Sequence, residues 1–366
     1  MKTGNPLLAI GLMSGTSMDG VDAALIETDG DGITAFGATV EQAYAAGFRD
    51  QLRALMGAAP TDDAATRATT RELTLIHAGV VAKLLESAQL RASDIGVIGF
   101  HGQTVFHDPA RGMTCQIGDG ALLAEQTGIR VVNDFRSADV AAGGEGAPLA
   151  PVYHVALART LARPVAILNI GGVANVTWIS PDGGAVAFDT GPGNALIDDW
   201  VRTRTNQTMD VDGQLARRGR IDEIALGRLL AQPYFDRPYP KSLDRDSFSV
   251  DAIGHLSPAD GAATLAAFTA QAVARAAAQL PAPPLQWLVC GGGRHNRVLM
   301  SQLRSALDGP VEPVEAVGWR GDALEAQAFA FLAVRALYGL PISYPQTTGV
   351  AKPTCGGVTH LPPGSR

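Results

Sequence analysis

Leu7-Leu8-Ala9-Ile10-Gly11-Leu12-Met13-Ser14-Gly15-Thr16-Ser17-Met18-Asp19-Gly20-Val21-Asp22-Ala23-Ala24-Leu25-Ile26-Glu27-Thr28 is the stretch on which the fold turns. Residues 7–11 form a short apolar run of the kind a buried strand needs, and residues 21–28 form a second. A polar, glycine-containing turn separates them. Together they predict a β-hairpin with an unusually polar tip. Small residues let successive backbone N–H groups approach an anion closely, and Thr16 and Ser17 add hydroxyls. The tip lacks the lysine of a GxxxxGK[ST] loop. It also fails the GxSxG pattern of a nucleophile elbow, because Asp19 stands where the last glycine belongs. On composition, a phosphate-gripping hairpin and a plain hairpin turn are equal readings.

The same opening returns further along. Residues 165–170 read as a strand, Gly171-Gly172 as a turn, and residues 176–179 as the next strand. A turn at Asp182-Gly183-Gly184 leads to a strand at 185–188. Asp189-Thr190-Gly191-Pro192-Gly193-Asn194 then opens a helix at 195–204, whose N-terminus favours an anion. Asp189 would lie beside that anion, where a base or a magnesium partner is needed; a strand-end turn residue is the plainer alternative. A third glycine loop, Gly291-Gly292-Gly293, follows a strand at 287–290, and alone it reads as a flexible turn.

Between these landmarks, residues 48–56 and 64–89 look helical, the second with Leu73, Ile76, Val80, Val81 and Leu84 on one face. A strand at 95–100 leads into His101-Gly102-Gln103, and one at 129–132 ends at Asn133-Asp134-Phe135-Arg136. A Gly/Ala-rich loop at 141–147 precedes a crossing helix at 151–160. Residues 207–251 are expected to be an irregular insertion with short helices. Helices are predicted at 259–280, ended by prolines, and at 322–338, where Asp322 and Glu325 form an acidic capping box. The pattern predicts two similar α/β domains with mixed sheets flanking a cleft, one built from 1–145 plus 341–366 and one from 146–340.

At 366 residues the chain exceeds what one core usually supports. With 46% apolar and 18% charged residues it is globular rather than disordered. A net charge of -7 without a basic cluster argues against a nucleic-acid partner. Cys115, Cys290 and Cys355 form no CxxC pair, so neither a disulfide framework nor a zinc site is expected and a reducing, cytoplasmic setting is. His107, His154 and His295 lack HExxH-like spacing, and no metal-ligating set is expected. No run approaches the ~20 apolar residues of a membrane span, and residues 7–13 are too short and poorly flanked for a secretion signal.

The strings GLMSGTSMDGVDAAL, GFHGQTVFHDP, QIGDG, NDFRSADVAAGGEGAPL, LNIGGVANVT, FDTGPGNALID and CGGGRHN occur in this order across nearly the whole chain. They resemble the 1,6-anhydro-N-acetylmuramate kinase family of the actin-like ATPase superfamily, whose fold is ribonuclease H-like. That resemblance implies ATP-dependent phosphorylation of O6 of the anhydro sugar with opening of its 1,6-bridge by water. It implies Asp189 as catalytic base. It implies nucleotide contacts from Gly15, Thr16, Ser17, Met18, Asp19, Gly20, Val21, Asp22, Gly171, Gly172, Gly191, Gly193, Gly291, Gly292 and Gly293. ATP with Mg²⁺, a homodimer and a role in cell-wall recycling belong to the same expectation. His101, Gln103, Asp134 and Arg136 lie at strand ends and are candidates for holding the sugar, with Arg136 suited to its lactyl carboxylate. Glu325 is a further candidate. Taken alone, His101 reads as a satisfied core histidine, Arg136 as a surface arginine and Glu325 as a helix cap. The competing readings are a sugar kinase acting on a free hydroxyl and an ATP-driven binding or filament protein.

Overall fold

In the computed structural model, residues 4–15, 17–57, 59, 61–243 and 247–364 are described. Contacts divide the chain into two compact units, Met1–Arg159 with Ala323–Arg366, and Thr160–Asp322.

The first unit begins with β1 (Leu7–Ser14), β2 (Gly20–Thr28) and β3 (Ile33–Ala43), followed by α1 (Ala46–Ala54) and α2 (Ala64–Ala88). Next come β4 (Val97–Asp108), β5 (Met113–Ile117), α3 (Gly120–Thr127), β6 (Val131–Asn133), α4 (Ser137–Ala141) and α5 (Pro151–Leu157). Strands β1 and β2 form the expected antiparallel hairpin, with Met13 opposite Asp22. Strand β4 runs parallel to β1, and β6 parallel to β4. Because side chains alternate across a strand, Ile10 and Leu12 share one face. There they join Leu73, Val80, Val81 and Leu84 of α2 in a buried cluster.

The second unit contains β7 (Val165–Ile170), β8 (Val173–Ile179), β9 (Ala185–Pro192), α6 (Ala195–Arg204), α7 (Glu223–Leu230), α8 (Pro258–Ala277), β10 (Trp287–Cys290), α9 (Arg297–Ala306) and β11 (Val311–Pro313). The chain then returns to the first unit with α10 (Leu324–Leu337), α11 (Pro345–Thr348) and β12 (Val358–His360).

The two sheets share one plan. In the first, the order is β12-β6-β4-β1-β2-β3; in the second it is β11-β10-β7-β8-β9. Each has a three-strand antiparallel meander whose first strand takes parallel partners on its other side. This is the mixed-sheet, ribonuclease H-like α/β arrangement of the actin-like fold.

Helix α10 packs on β1, β2 and β4. Gly11 and Gly99 are direct partners on adjacent parallel strands. A Cβ on Gly11 would lie 1.7 Å from the Ala326 carbonyl oxygen, and one on Gly99 2.0 Å from that of Phe329. The glycine pair is therefore the seat of the helix, since no larger residue leaves room for its backbone.

The start of α10 differs from expectation. Its N-cap is Ala323, with no side-chain cap. Asp322 does not cap it, because its carboxylate takes two bonds from Arg294, at 2.8 and 2.6 Å. Arg294 has only 3% of its side chain exposed, and a buried guanidinium claims carboxylates ahead of a helix end that water can solvate. Glu325 stands exposed in the first helical turn. Among the described residues no helix is long and apolar enough to cross a membrane.

Candidate functional site

In the first unit the β1–β2 tip is anchored from beneath. Met18 N–H closes the turn onto the Gly15 carbonyl at 3.0 Å. Met18 takes a positive φ of 58°, and its side chain, like that of Val21, is buried in the core. These two expected nucleotide contacts can thus offer backbone only. Ser17 and Asp19 are exposed, and Gly15, Gly20 and Asp22 are partly so. Thr16 lies outside the described residues. Ser14 Oγ donates to Gln103 Oε1 at 2.6 Å and lies 2.7 Å from the Tyr44 hydroxyl. Gln103 Nε2 donates to the Gly15 carbonyl at 3.1 Å and to Thr104 O at 3.3 Å. Gln103 is fully buried, so its amide is spent on holding the hairpin tip. Burial pushes the Tyr44 hydroxyl well above its ordinary range, so it stays a neutral partner.

Arg136, beyond the end of β6, reaches His101; contrary to expectation, His101 and Gln103 lie inside β4, which runs on to Asp108, rather than at a strand end. Arg136 donates to His101 Nε2 from Nε at 3.2 Å and from Nη2 at 3.0 Å. His101 Nδ1 lies 2.7 Å from the Gly102 carbonyl, which fixes the tautomer with the proton on Nδ1. Burial, with the Arg136 charge second, holds His101 well below its usual pKa. The pair therefore presents one positive charge, on Arg136. Asp134 has a φ of 52° and accepts from the Ser137 hydroxyl and backbone N–H.

Sequence reasoning missed the support beneath this cluster. Arg136 Nη1 also donates to the Gly146 carbonyl at 2.7 Å. The Gly/Ala-rich loop that carries Gly146 is held by Asp139, which is 1% exposed. Its carboxylate accepts from Gly146 N–H at 2.6 Å and from the Thr348 hydroxyl at 2.6 Å. The signal was a carboxylate in a short helix just before a glycine-rich loop. A cavity of about 250 Å³ beside the cluster is lined by residues including Phe106, Met113, Cys115 and Ser137.

The second unit brings its three glycine loops together. Gly193 N–H donates to the Gly172 carbonyl at 2.9 Å, and Asn194 N–H to that of Gly171 at 2.8 Å. A Cβ on Gly193 would lie 2.2 Å from Gly171 O, so only glycine permits this approach. Asn194 Nδ2 donates to the Ile170 carbonyl at 3.2 Å. Gly291 and Gly293 lie against Ile170, and Gly292 against Asn194. Gly191 packs on Ala272 of α8.

Asp189, near the end of β9, is 7% exposed. Its Oδ2 accepts from Leu243 N–H at 2.8 Å, its backbone N–H donates to Lys241 O at 3.1 Å, and its carbonyl accepts from the Tyr234 hydroxyl at 2.6 Å. All three partners belong to the 207–251 segment, which the sequence marked only as an irregular insertion. The segment thus fixes Asp189 through its backbone and sets one N–H donor, that of Leu243, on its buried carboxylate.

The profile of the anhydro-N-acetylmuramic acid kinase family matches residues 7–362. Proteins of that name from three bacteria align along almost their whole length. That of Rhodospirillum rubrum is 58% identical over 97% of this chain and 94% of its own. That of Paramagnetospirillum magneticum is 55% identical over 97% and 100%. That of Acidiphilium cryptum is 57% identical over 95% and 97%. Among solved structures, component A of the (R)-2-hydroxyglutaryl-CoA dehydratase of Acidaminococcus fermentans is similar over 90% of this chain and 98% of its own, at 12% identity and a TM-score of 0.49.

Proposed function

This chain belongs to the anhydro-N-acetylmuramic acid kinase family and is a kinase, and from that premise we propose that it transfers the γ-phosphoryl group of ATP to O6 of 1,6-anhydro-N-acetylmuramic acid while water opens the 1,6-bridge. The products are N-acetylmuramate 6-phosphate and ADP, in cytoplasmic recycling of cell-wall sugar by a homodimer. A bridged sugar has no free 6-hydroxyl. The C1–O6 bond must break as O6 takes the phosphoryl group, and water must supply the new oxygen at C1 from the face opposite the bridge. Asp189 takes the proton from that water, the role a carboxylate plays in inverting glycoside hydrolysis.

The observation that carries this reading is the buried Asp189 carboxylate two residues before the loop that hydrogen-bonds Gly171 and Gly172. Phosphoryl transfer asks the protein mainly for positioning and charge stabilisation. Backbone groups of Gly15, Gly20 and Val21, with Thr16 and Ser17, cradle the β- and γ-phosphates. Residues 171–172, 191–193 and 291–293 line the nucleotide. Mg²⁺ fits the donors at the hairpin, because Asp19 and Asp22 are hard oxygen ligands of the kind it takes alongside water and phosphate; bound with ATP it would neutralise phosphate charge. Arg136 pairs with the lactyl carboxylate, its orientation set by His101 and Gly146, while Asp134 and Glu325 offer acceptors.

Asp189→Asn should lower turnover by about 10²–10⁴-fold, the usual worth of a positioned base, while ATP still binds. Isothermal titration and a coupled ADP assay measure the two. Wild-type turnover in that variant overturns the assignment. In ¹⁸O-labelled water the phosphosugar should gain one label at C1, and an unlabelled product removes the hydrolytic step.

A further inference from the structure

Lys241 is 2% exposed, and nothing in the mechanism above uses its ammonium. Removing a cation from water is costly unless it is well paired. Here Nζ donates to the carbonyl of Arg237 at 2.8 Å and to that of Tyr234 at 3.3 Å. It also lies 4.8 Å from the centre of the Tyr234 ring and 5.6 Å from that of Phe188, within reach of cation–π attraction. Burial, and next the Arg237 charge, push it down to about 8, so it remains mostly protonated at neutral pH.

These contacts join the two ends of one strap. At one end is Tyr234, whose hydroxyl holds the Asp189 carbonyl. At the other are Lys241, whose carbonyl holds Asp189 N–H, and Leu243, whose N–H holds the carboxylate. Between them Tyr239 stacks on Phe188, with ring centres 5.1 Å apart. The strap lies along β9, which has no further strand beyond it in the described sheet. An apolar side chain could fill the space of Lys241, but it could not bind two carbonyls of the strap at once.

We propose that Lys241 is a positioning residue for the kinase reaction, clamping the 234–243 strap so that Asp189 is held in one orientation and in its ionised form. The proposal rests on the reading of Asp189 as the base. Without the clamp, the Leu243 N–H that bonds the carboxylate is no longer held in place, and its loss favours the protonated form.

The test uses the full-length chain with ATP and 1,6-anhydro-N-acetylmuramic acid, and follows kcat and KM from pH 5 to 9. In Lys241→Met, kcat should fall roughly tenfold or more with KM little changed, as expected when an interaction matters in the transition state rather than in ground-state binding. The acidic limb of its kcat profile should move to higher pH. Lys241→Arg, which keeps charge and donors, should restore both. A merely structural role lowers Tm and leaves the limb in place, and that outcome overturns the proposal. If Lys241→Met does not fold, Tyr234→Phe decides the question, because it keeps the ring under the ammonium and removes the hydroxyl's bond to the Asp189 carbonyl. Its limb should move in the same direction by less, and an unmoved limb overturns the clamp. Asp189→Asn separates the two claims: if it is inactive while the limb of the other variants stays fixed, the clamp alone fails; if it is active, the base assignment fails first.

Discussion

Three histidines are held neutral by burial, and this couples the protein to pH. His77 and His154 are pushed down to about 4 by desolvation, and His101 well below its usual value. Nε2 of His77 is buried with no partner among the described residues, so a proton there gains nothing. Unfolded histidine titrates near 6.5. Between about pH 4 and 6.5 the unfolded chain therefore binds more protons than the folded one, and stability must fall as pH drops through that window. Above it these residues contribute no slope. Each shift of this size is worth on the order of 3 kcal/mol when fully expressed. Tm should be level near pH 7–8 and fall steeply below pH 6, and His77→Leu should remove part of the fall; thermal melts across the range measure both. At this scale the sequence singled out His101 and Arg136, and they do meet, although His101 sits inside β4 rather than at a strand end. It could not name Tyr44, Asp139, Thr348 or Lys241. Their roles come from contacts that cross the fold, such as Asp139 with Thr348, and no local pattern announces such a pair.

Among elements, the strands that border the glycine loops were legible because each is a continuous apolar run closed by small residues. Strand β3 was not, since Thr34, Ala35 and Phe36 are exposed in a row and its apolar residues show no clean alternation. Helix α9 had a readable start: Asn296 accepts from the N–H groups of Val298 and Leu299, as an N-cap does. Its motif was read for glycine instead. The seat of α10 was hidden for a different reason. Gly11 and Gly99 look like ordinary small residues until both strands are paired and the helix laid across them. Gly99→Ala drives a methyl group into the rigid backbone of Phe329, not into a flexible side chain. It should cost about 1–3 kcal/mol or more, as overpacking does. Urea unfolding should show a lower midpoint at unchanged m-value; an unchanged midpoint would show that the helix can shift without loss.

For the molecule as a whole, the duplicated plan was legible from two strand-turn-strand openings. The ownership of the last helix was not, because an amphipathic pattern states which face is apolar and not which sheet receives it. Helix α10 belongs with the first unit. Ending the chain after Asp322 should therefore leave the second unit with all its own strands while stripping the helix from β1 and β4. Hydrogen exchange should show fast exchange in β1 and β4 and retained protection in β7 and β10; equal loss in both would mean the units fold only together. The glycine seat has a further consequence, in time. Translation proceeds at about 5–20 residues per second, so the interval between making Gly99 and completing α10 is about 12–48 seconds. Throughout that interval the nascent sheet carries an uncovered apolar face, while the second unit emerges and can fold. The first unit can close its core only when that final helix arrives.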